Sequence, residues 1–358
     1  MTGNGDNLQV RSGFLPDRIV HLHPTRLCNL ACLHCYSESG PKEKTSLSLE
    51  ELQRALLVLR AEGYAQISLS GGEPMVYAPL VPLIDFAHAC GFRVTMITNG
   101  LFTNKKVDDV AKRLDGIAIS FDGLARTHNY LRGREDAFDR SCAALARFAE
   151  SDHPISAAIS LTREAIPELP ELTDTLVALG ARALQVRPVA LAGRARTLTG
   201  LNNYTAIDHA RLFLVVSALR EELGDGVRIH CDLAPTLHLW HQRDTYGALL
   251  ASCDLDDSSA SARYPLSDLI NPLVITEVGA LKPIAYDFNP EFDVATLADL
   301  SPEMLESYKR IRLPHFQTLI GQALASLEMK NGFVDWFDYC TRLSEEHACE
   351  KALHTASN

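Results

Sequence analysis

The chain lacks a surplus of basic residues, a membrane-length apolar run, a secretory opening and an internal repeat, and each absence removes a class of protein. Lysine and arginine number 34 against 45 aspartate and glutamate, a formal net charge of −11. Nucleic-acid phosphates are bound by clustered lysine and arginine, so an extended nucleic-acid surface is excluded, though a local basic patch is not. No stretch approaches the roughly 20 apolar residues of a membrane helix. The opening MTGNGDNLQVRSGF has no basic-then-apolar signal pattern. The expected location is therefore the cytoplasm, with neither nucleic acid nor membrane as partner. What is present, 358 residues at 46% hydrophobic and 22% charged, can bury a large core and predicts a globular enzyme.

From residue 18 to about 231, short apolar or β-branched runs alternate with amphipathic stretches of helical period, the pattern of a parallel α/β sheet. Strands are expected at 19–23, 66–70, 93–98, 116–121, 155–161 and 183–187. Helices fill the gaps. One begins near Ser48, where Glu51 three residues on forms a capping box; others lie near 80–90, 105–113, 137–150 and 167–179. Six such units suit a partial (β/α)6 TIM-like barrel better than an open doubly wound sheet, and either fold gathers ligands at the carboxyl ends of its strands. Beyond Cys231 the pattern changes. Residues 251–263 read as an acidic, serine-rich loop near a domain boundary, followed by strand-like runs at 273–277 and 280–285, a helical stretch at 301–330 and a polar tail. The expected organisation is an N-terminal extension (1–17), a barrel (18–235) and a smaller α+β C-terminal domain (236–358).

Nine cysteines in a reduced compartment read as thiols and metal ligands rather than disulfides. Three of them, Cys28, Cys32 and Cys35, fall within eight residues directly after the first predicted strand, at the barrel's catalytic mouth. Three thiolates on a short loop suit a cubane iron–sulfur cluster, each binding one iron and leaving the fourth iron open. The alternative is zinc, which prefers four protein ligands and would recruit His34, set between two of the thiols.

CNLACLHCY, with its CxxxCxxC spacing, resembles the signature of the radical S-adenosylmethionine (radical SAM) superfamily. SLSGGEP at 68–74, TMITNG at 95–100, ISFDG at 119–123 and HNYLRG at 128–133 are similar to further motifs of that family, in order. The resemblance covers residues 18 to about 190. It implies one [4Fe-4S] cluster on the three cysteines, S-adenosyl-L-methionine as cosubstrate, and an electron donor such as flavodoxin or ferredoxin. It further implies that Gly71 and Gly72 admit close backbone approach before Pro74 and that Glu73 accepts from the cosubstrate's amine. Ser120 and Arg132 would hold its carboxylate and ribose, His34 would stand where an aromatic usually packs on adenine, and Asn99 would touch ribose. Beside these stand blander readings: GGEP as a tight turn, Arg132 as a surface salt-bridge partner, Asn99 as a turn residue. The implied reaction is reductive cleavage to a 5'-deoxyadenosyl radical that abstracts a substrate hydrogen atom, while the protein orients reactants and excludes water.

The segment from Asn271 onward is similar to the start of the SPASM or twitch extension, yet no cysteine occurs between Arg263 and Asp338. Without thiolates an auxiliary cluster has no ligands of the required softness, so the extension is expected to be degenerate. Cys231, Cys253, Cys340 and Cys349 are incidental buried thiols or include a hydrogen donor to a substrate radical. The resemblance favours a ribosomally made peptide as substrate, epimerised or cross-linked. A small molecule (sugar, nucleoside, amino acid or porphyrin) is the second expectation, and a non-catalytic heme chaperone on the same scaffold the third. A leader-peptide recognition domain of roughly eighty residues would not fit before the first strand and would be a separate chain.

Overall fold

The computed structural model describes residues 18–102, 106–150, 155–198, 204–241, 264–327 and 332–356. The expected N-terminal extension, the boundary loop at 251–263 and Cys253 lie outside the described residues, as does the side chain of Cys349.

Seven strands run parallel in sequence order: β1 (Ile19–Leu22), β2 (Gln66–Leu69), β3 (Arg93–Thr98), β4 (Gly116–Phe121), β5 (Ile155–Leu161), β6 (Ala183–Pro188) and β7 (Arg228–Cys231). Between them lie α1 (Leu49–Ala61), α2 (Leu80–Ala89), α3 (Lys106–Ala111), α4 (Ala125–Arg132), α5 (Ala137–Ala149), α6 (Leu169–Ala178) and α7 (Ala206–Leu223). This is the expected parallel α/β architecture of a partial barrel, with one parallel strand beyond the six read from sequence. The predicted capping box opens α1: Ser48 Oγ accepts from Glu51 N at 3.2 Å, and Ser48 N donates to the Glu51 carboxylate at 3.1 Å. Helix α4 was not foreseen. It is short and polar, and Gly133 ends it in the left-handed region at φ 64°, a conformation glycine adopts without steric cost.

Alternation within the strands sets two environments. Ile117, Ile119 and Phe121 of β4, and Ala157, Ile159 and Leu161 of β5, are buried under the helices. Their neighbours Ser120, Ser156, Ala158 and Ser160 turn to the inner face.

The C-terminal segment comprises β8 (Leu233–Pro235), α8 (Thr236–His241), α9 (Leu266–Leu269), β9 (Leu273–Ile275), β10 (Ala280–Pro283), β11 (Ala295–Thr296), α10 (Pro302–Ile311), α11 (Leu313–Leu327), β12 (Phe333–Asp335) and α12 (Trp336–Ala356). Strand β9 pairs parallel with β1, and β10 and β11 follow antiparallel, so one ten-stranded sheet runs from β11 through β9, β1 and on to β7. The buried hydroxyl of Tyr64 donates to Ile270 O at 2.7 Å, and buried Lys309 meets Glu62 at 2.9 Å, fastening this segment to the end of α1.

Two sequence expectations are corrected here. The helical stretch 301–330 is two helices separated at Arg312, because Pro314 lacks the N–H of a helix interior and is tolerated only in a first turn. The polar tail is a 21-residue helix, α12. Asp335 starts it by accepting from the N–H groups of Phe337 and Asp338 at 3.1 and 3.2 Å.

Candidate active site

The inner faces of the strands enclose a cavity of about 1720 Å³, larger than the roughly 300–1,000 Å³ of ordinary small-molecule pockets. Where a filled barrel would stack branched apolar side chains, this one carries His21, Ser160, Gln185, Arg187, His230 and Asp232. Small and polar residues leave the interior hollow. The expected site residues Cys28, Cys32, His34, Cys35, Gly71, Gly72, Glu73, Asn99, Ser120 and Arg132 all lie on its wall.

The cysteine loop leaves β1 and is braced from three sides. Cys28 N donates to Gly40 O at 3.1 Å, and Leu33 N donates to Leu131 O of α4 at 2.8 Å. From the far side of the barrel Arg194 donates through Nε to Cys32 O and through Nη2 to Ser39 O, both at 2.8 Å, while its N–H reaches Cys35 O at 3.0 Å. The approach is so close that a Cβ at Gly193 would sit 2.2 Å from Tyr36 O, and Gly193 has φ 50°. Sequence reading missed this Gly193–Arg194 clasp; the only signal was a glycine followed by an arginine in the loop after β6.

Burial, followed by the nearby Glu73 carboxylate, pushes the Cys28 thiol up to about 12; burial pushes Cys32 up to about 11. Cys28 Sγ accepts from Leu30 N at 3.5 Å and from Asn99 Nδ2 at 3.9 Å, bonds that would stabilise a thiolate once a metal displaced the proton. Among the described residues no three His, Cys, Asp or Glu side chains converge on a point that one ion could occupy. The three thiols on the cavity wall are the donor set of a cube in which each sulfur meets a different iron. His34 does not join them. Its Nε2 meets Asp122 Oδ1 at 3.0 Å, and its buried Nδ1 has no hydrogen-bond partner.

The GGEP turn is built against the chain's own backbone. A Cβ at Gly72 would lie 2.2 Å from Leu27 O, and one at Gly71 (φ 99°) 2.8 Å from His23 Cβ. Gly72 N and Glu73 N donate to Thr25 O and Leu27 O, each at 2.9 Å. The close approach these glycines permit is thus to the start of the cysteine loop. Pro74 opens a 3-10 turn, Pro74–Val76, capped by Glu73. The Glu73 carboxylate accepts from Met75 N (3.0 Å), Thr98 Oγ1 (2.8 Å) and Asn99 N (2.9 Å), tying the ends of β2 and β3 together. Burial raises its pKa to about 7 against the pull of these donors. Asn99 is the expected turn residue, accepting from Leu101 N at 2.9 Å, but its amide also faces Cys28 and Asn29.

Arg132 is not a surface residue. It is buried, and its guanidinium grips Asp122 through Nε at 2.6 Å and Nη2 at 3.3 Å. Asp122, from the SFDG motif, also meets His34, and its backbone N–H donates to His128 Nδ1 at 3.2 Å. Burial alone would raise the Asp122 pKa; Arg132 and the two histidines outweigh it and hold it well below the carboxylate range. Burial and Arg132 lower His128 to about 3, so it is neutral. Asp122, the hub of this network, was missed as a functional residue although it sits inside a motif that was read. Among the described residues Nη1 of Arg132 and the hydroxyl of Ser120 have no protein hydrogen-bond partner, and both residues lie on the cavity wall.

Cys231 and Cys340 are buried and absent from the cavity wall. Tyr36 and Tyr286 lie on that wall beside the cysteine loop. They pack edge to face at 5.1 Å, with Tyr286 stacked on His23 and hydrogen-bonded to buried Glu277 at 2.8 Å.

Residues 22–176 match the model of the Radical SAM superfamily. The sporulation killing factor maturation protein SkfB of Bacillus subtilis is 28% identical over 176 residues, 49% of this chain and 43% of that protein. This chain thus spans less than half of that relative's own length. An AdoMet-dependent heme synthase of Oleidesulfovibrio alaskensis is 29% identical over 306 residues, 83% of this chain and 77% of that one. Among solved structures, Streptococcus suis SuiB bound to S-adenosylmethionine shares the fold with a TM-score of 0.62 at 16% identity, covering 85% of this chain and 68% of its own. With the cysteine loop and the motif order, the match identifies residues 22–176 as a radical SAM domain, and the solved structures share the fold.

Proposed function

We propose that this enzyme cleaves S-adenosylmethionine at a single [4Fe-4S] cluster on Cys28, Cys32 and Cys35 and turns the resulting radical on a peptide. The observation that carries the reading is the convergence of the three thiols, Gly71, Gly72, Glu73, Ser120 and Arg132 on one hollow cavity. Cys28, Cys32 and Cys35 would hold the cluster, which when bound would supply the electron for reductive cleavage of the cosubstrate. Arg194 and Gly193 hold the cysteine loop against β6, and Asn99 and Leu30 direct N–H groups at Cys28. Asp122 fixes the plane of Arg132 so that Nη1 is presented to the cosubstrate's carboxylate. Glu73 locks the β2 and β3 ends, and with the backbone before it would accept from the amine.

SkfB, by its printed name a maturation protein for a killing factor, and SuiB, solved with its precursor peptide SuiA, support a peptide as substrate. The absence of cysteine from Arg263 to Asp338 supports a C-terminal unit (236–358) without a full auxiliary cluster, appended to a radical SAM unit (18–235). That favours redox-neutral chemistry such as epimerisation. A flavodoxin or ferredoxin would supply electrons in the cytoplasm, and leader recognition would fall to a separate protein. No helix among the described residues is long and apolar enough to cross a membrane.

One observation favours a second reading, a tetrapyrrole substrate. The heme synthase match extends over most of both chains, C-terminal segment included. Anaerobically reconstituted protein with dithionite and S-adenosylmethionine tests both. Formation of 5'-deoxyadenosine accelerated by a short peptide encoded beside the gene supports the first reading; acceleration by an iron tetrapyrrole instead moves the assignment to the second. No 5'-deoxyadenosine under any condition refutes the reaction class.

A further inference from the structure

Across the cavity from the cysteine loop, Arg187 at the end of β6 is ion-paired differently from three other arginines of the wall. Arg132, Arg196 and Arg342 meet Asp122, Asp287 and Asp338 at 2.6, 2.8 and 2.9 Å, the range of fully formed charge-assisted bonds. Arg187 stands no nearer than 3.4 Å to Asp232, through Nε, and among the described residues no hydrogen bond from its two Nη groups to a protein acceptor is formed. Its side chain keeps 41% of its surface open although it lies inside the barrel, so the open part faces the cavity.

Neighbouring groups leave that fork available. Asp232 is shared, with His230 Nε2 at 3.3 Å and Gln185 Nε2 at 3.4 Å on its other oxygen. Asp338 is neutralised by Arg342. Asp335 spends one oxygen on the start of α12 and is absent from the wall, and burial makes the nearby His21 a neutral imidazole. A purely structural arginine would close on Asp232 with both arms; this one keeps a planar pair of N–H donors directed into space large enough for a second molecule beside the cosubstrate.

We propose that Arg187 is a substrate-binding residue that takes a carboxylate of the substrate bidentately, against the weak competition of the Asp232 carboxylate. This rests on the cavity being the reaction chamber of a radical SAM enzyme. It assigns the substrate a free carboxylate, from an acidic side chain, a peptide terminus or a propionate, positioned against β6.

The test uses reconstituted protein saturated with S-adenosylmethionine and kept without reductant, titrated with benzoate or benzamide and followed by saturation-transfer NMR. Benzoate is expected to bind at least tenfold more tightly than benzamide, as a charge-assisted pair exceeds a neutral one. R187Q should bring benzoate down to the benzamide level, and R187K, which keeps the charge but not the fork, should fall between. D232N should tighten benzoate several-fold by removing the competing carboxylate, a gain that a merely structural ion pair would not produce. Circular dichroism checks each variant, and if R187Q fails to fold, D232N decides. Unchanged benzoate affinity in a folded R187Q, or in D232N, overturns the assignment. No turnover is involved, so failure here leaves cosubstrate cleavage untouched, and failure of cleavage leaves the binding result standing.

Discussion

Asp122→Asn should destabilise the protein by about 3–5 kcal/mol, the usual loss when one member of a buried ion pair is removed. The magnitude follows from the surroundings. Side-chain exposure is 2% for Asp122 and 6% for Arg132, and the carboxylate takes two guanidinium bonds and one from His34. An amide in its place keeps one acceptor and turns N–H donors toward Arg132, whose buried charge then has no counterion. Urea unfolding of the cluster-free protein at pH 7 measures the loss. Replacing both partners by apolar residues, D122L with R132M, should recover much of it, because the cost lies in the orphaned charge rather than in the missing bond. The pH dependence has a fixed sign. Asp122 is held below its unfolded value of about 3.9, so its stabilisation is present above that value and lost as pH falls through the depressed folded one. Wild type should therefore shed stability on acidification more steeply than D122N. A loss under about 1 kcal/mol at pH 7, the scale of an exposed pair, would refute the argument that this network is desolvated.

Other outcomes follow from the same site. Reconstitution of the full chain should give about four irons and four sulfides, and a value near eight would overturn the degenerate C-terminal extension. Cys32→Ala should abolish 5'-deoxyadenosine formation with dithionite; wild-type turnover would end the mechanistic reading. Arg132→Ala should weaken S-adenosylmethionine binding by about 1–3 kcal/mol in equilibrium dialysis, unless Nη1 plays no part and affinity stays unchanged. Gly193→Ala should lower iron content after reconstitution while leaving the circular dichroism spectrum intact, since the new Cβ collides with Tyr36 O and Cys35 O; full iron loading would show that the clasp gives way freely.

The cysteine loop, strands β1 to β6 and the residues of the cosubstrate side were legible because each lies in a short contiguous motif at a strand end. Less legible was whatever depends on groups distant in sequence. Asp122 was on the page within ISFDG, but that it is the hub for Arg132, His34 and His128 follows from α4 folding back over the β4 end. Arg194 reaches Cys32 across 162 residues and Asn271 reaches Ile19 across 252, separations that no local pattern encodes. One readable signal was passed over. In ISAAISL, ALQVRP and RIHCD the positions opposite the buried ones are serine, alanine, glutamine, arginine and histidine, so the alternation itself announces a barrel lined with small and polar groups.

That lining explains why the C-terminal segment matters to the chemistry. A hollow barrel open at β1 would admit water to the cysteine loop, and β9 closes that edge by pairing with β1, placing Glu277 and Tyr286 beside His23 and Tyr36. From the other side β12 pairs with β8, and α12 follows it to set Trp336, Asp338 and Arg342 on the cavity wall near β7. The segment thus walls the chamber at both ends of the parallel run, a role that needs packing and no metal ligand of its own. Loss of auxiliary-cluster cysteines is then compatible with retention of the segment: what the reaction requires from it is a dry, shaped wall opposite the thiols, and the buried Glu277–Tyr286 pair and the Arg187–Asp232 face are where substrate selectivity would be written.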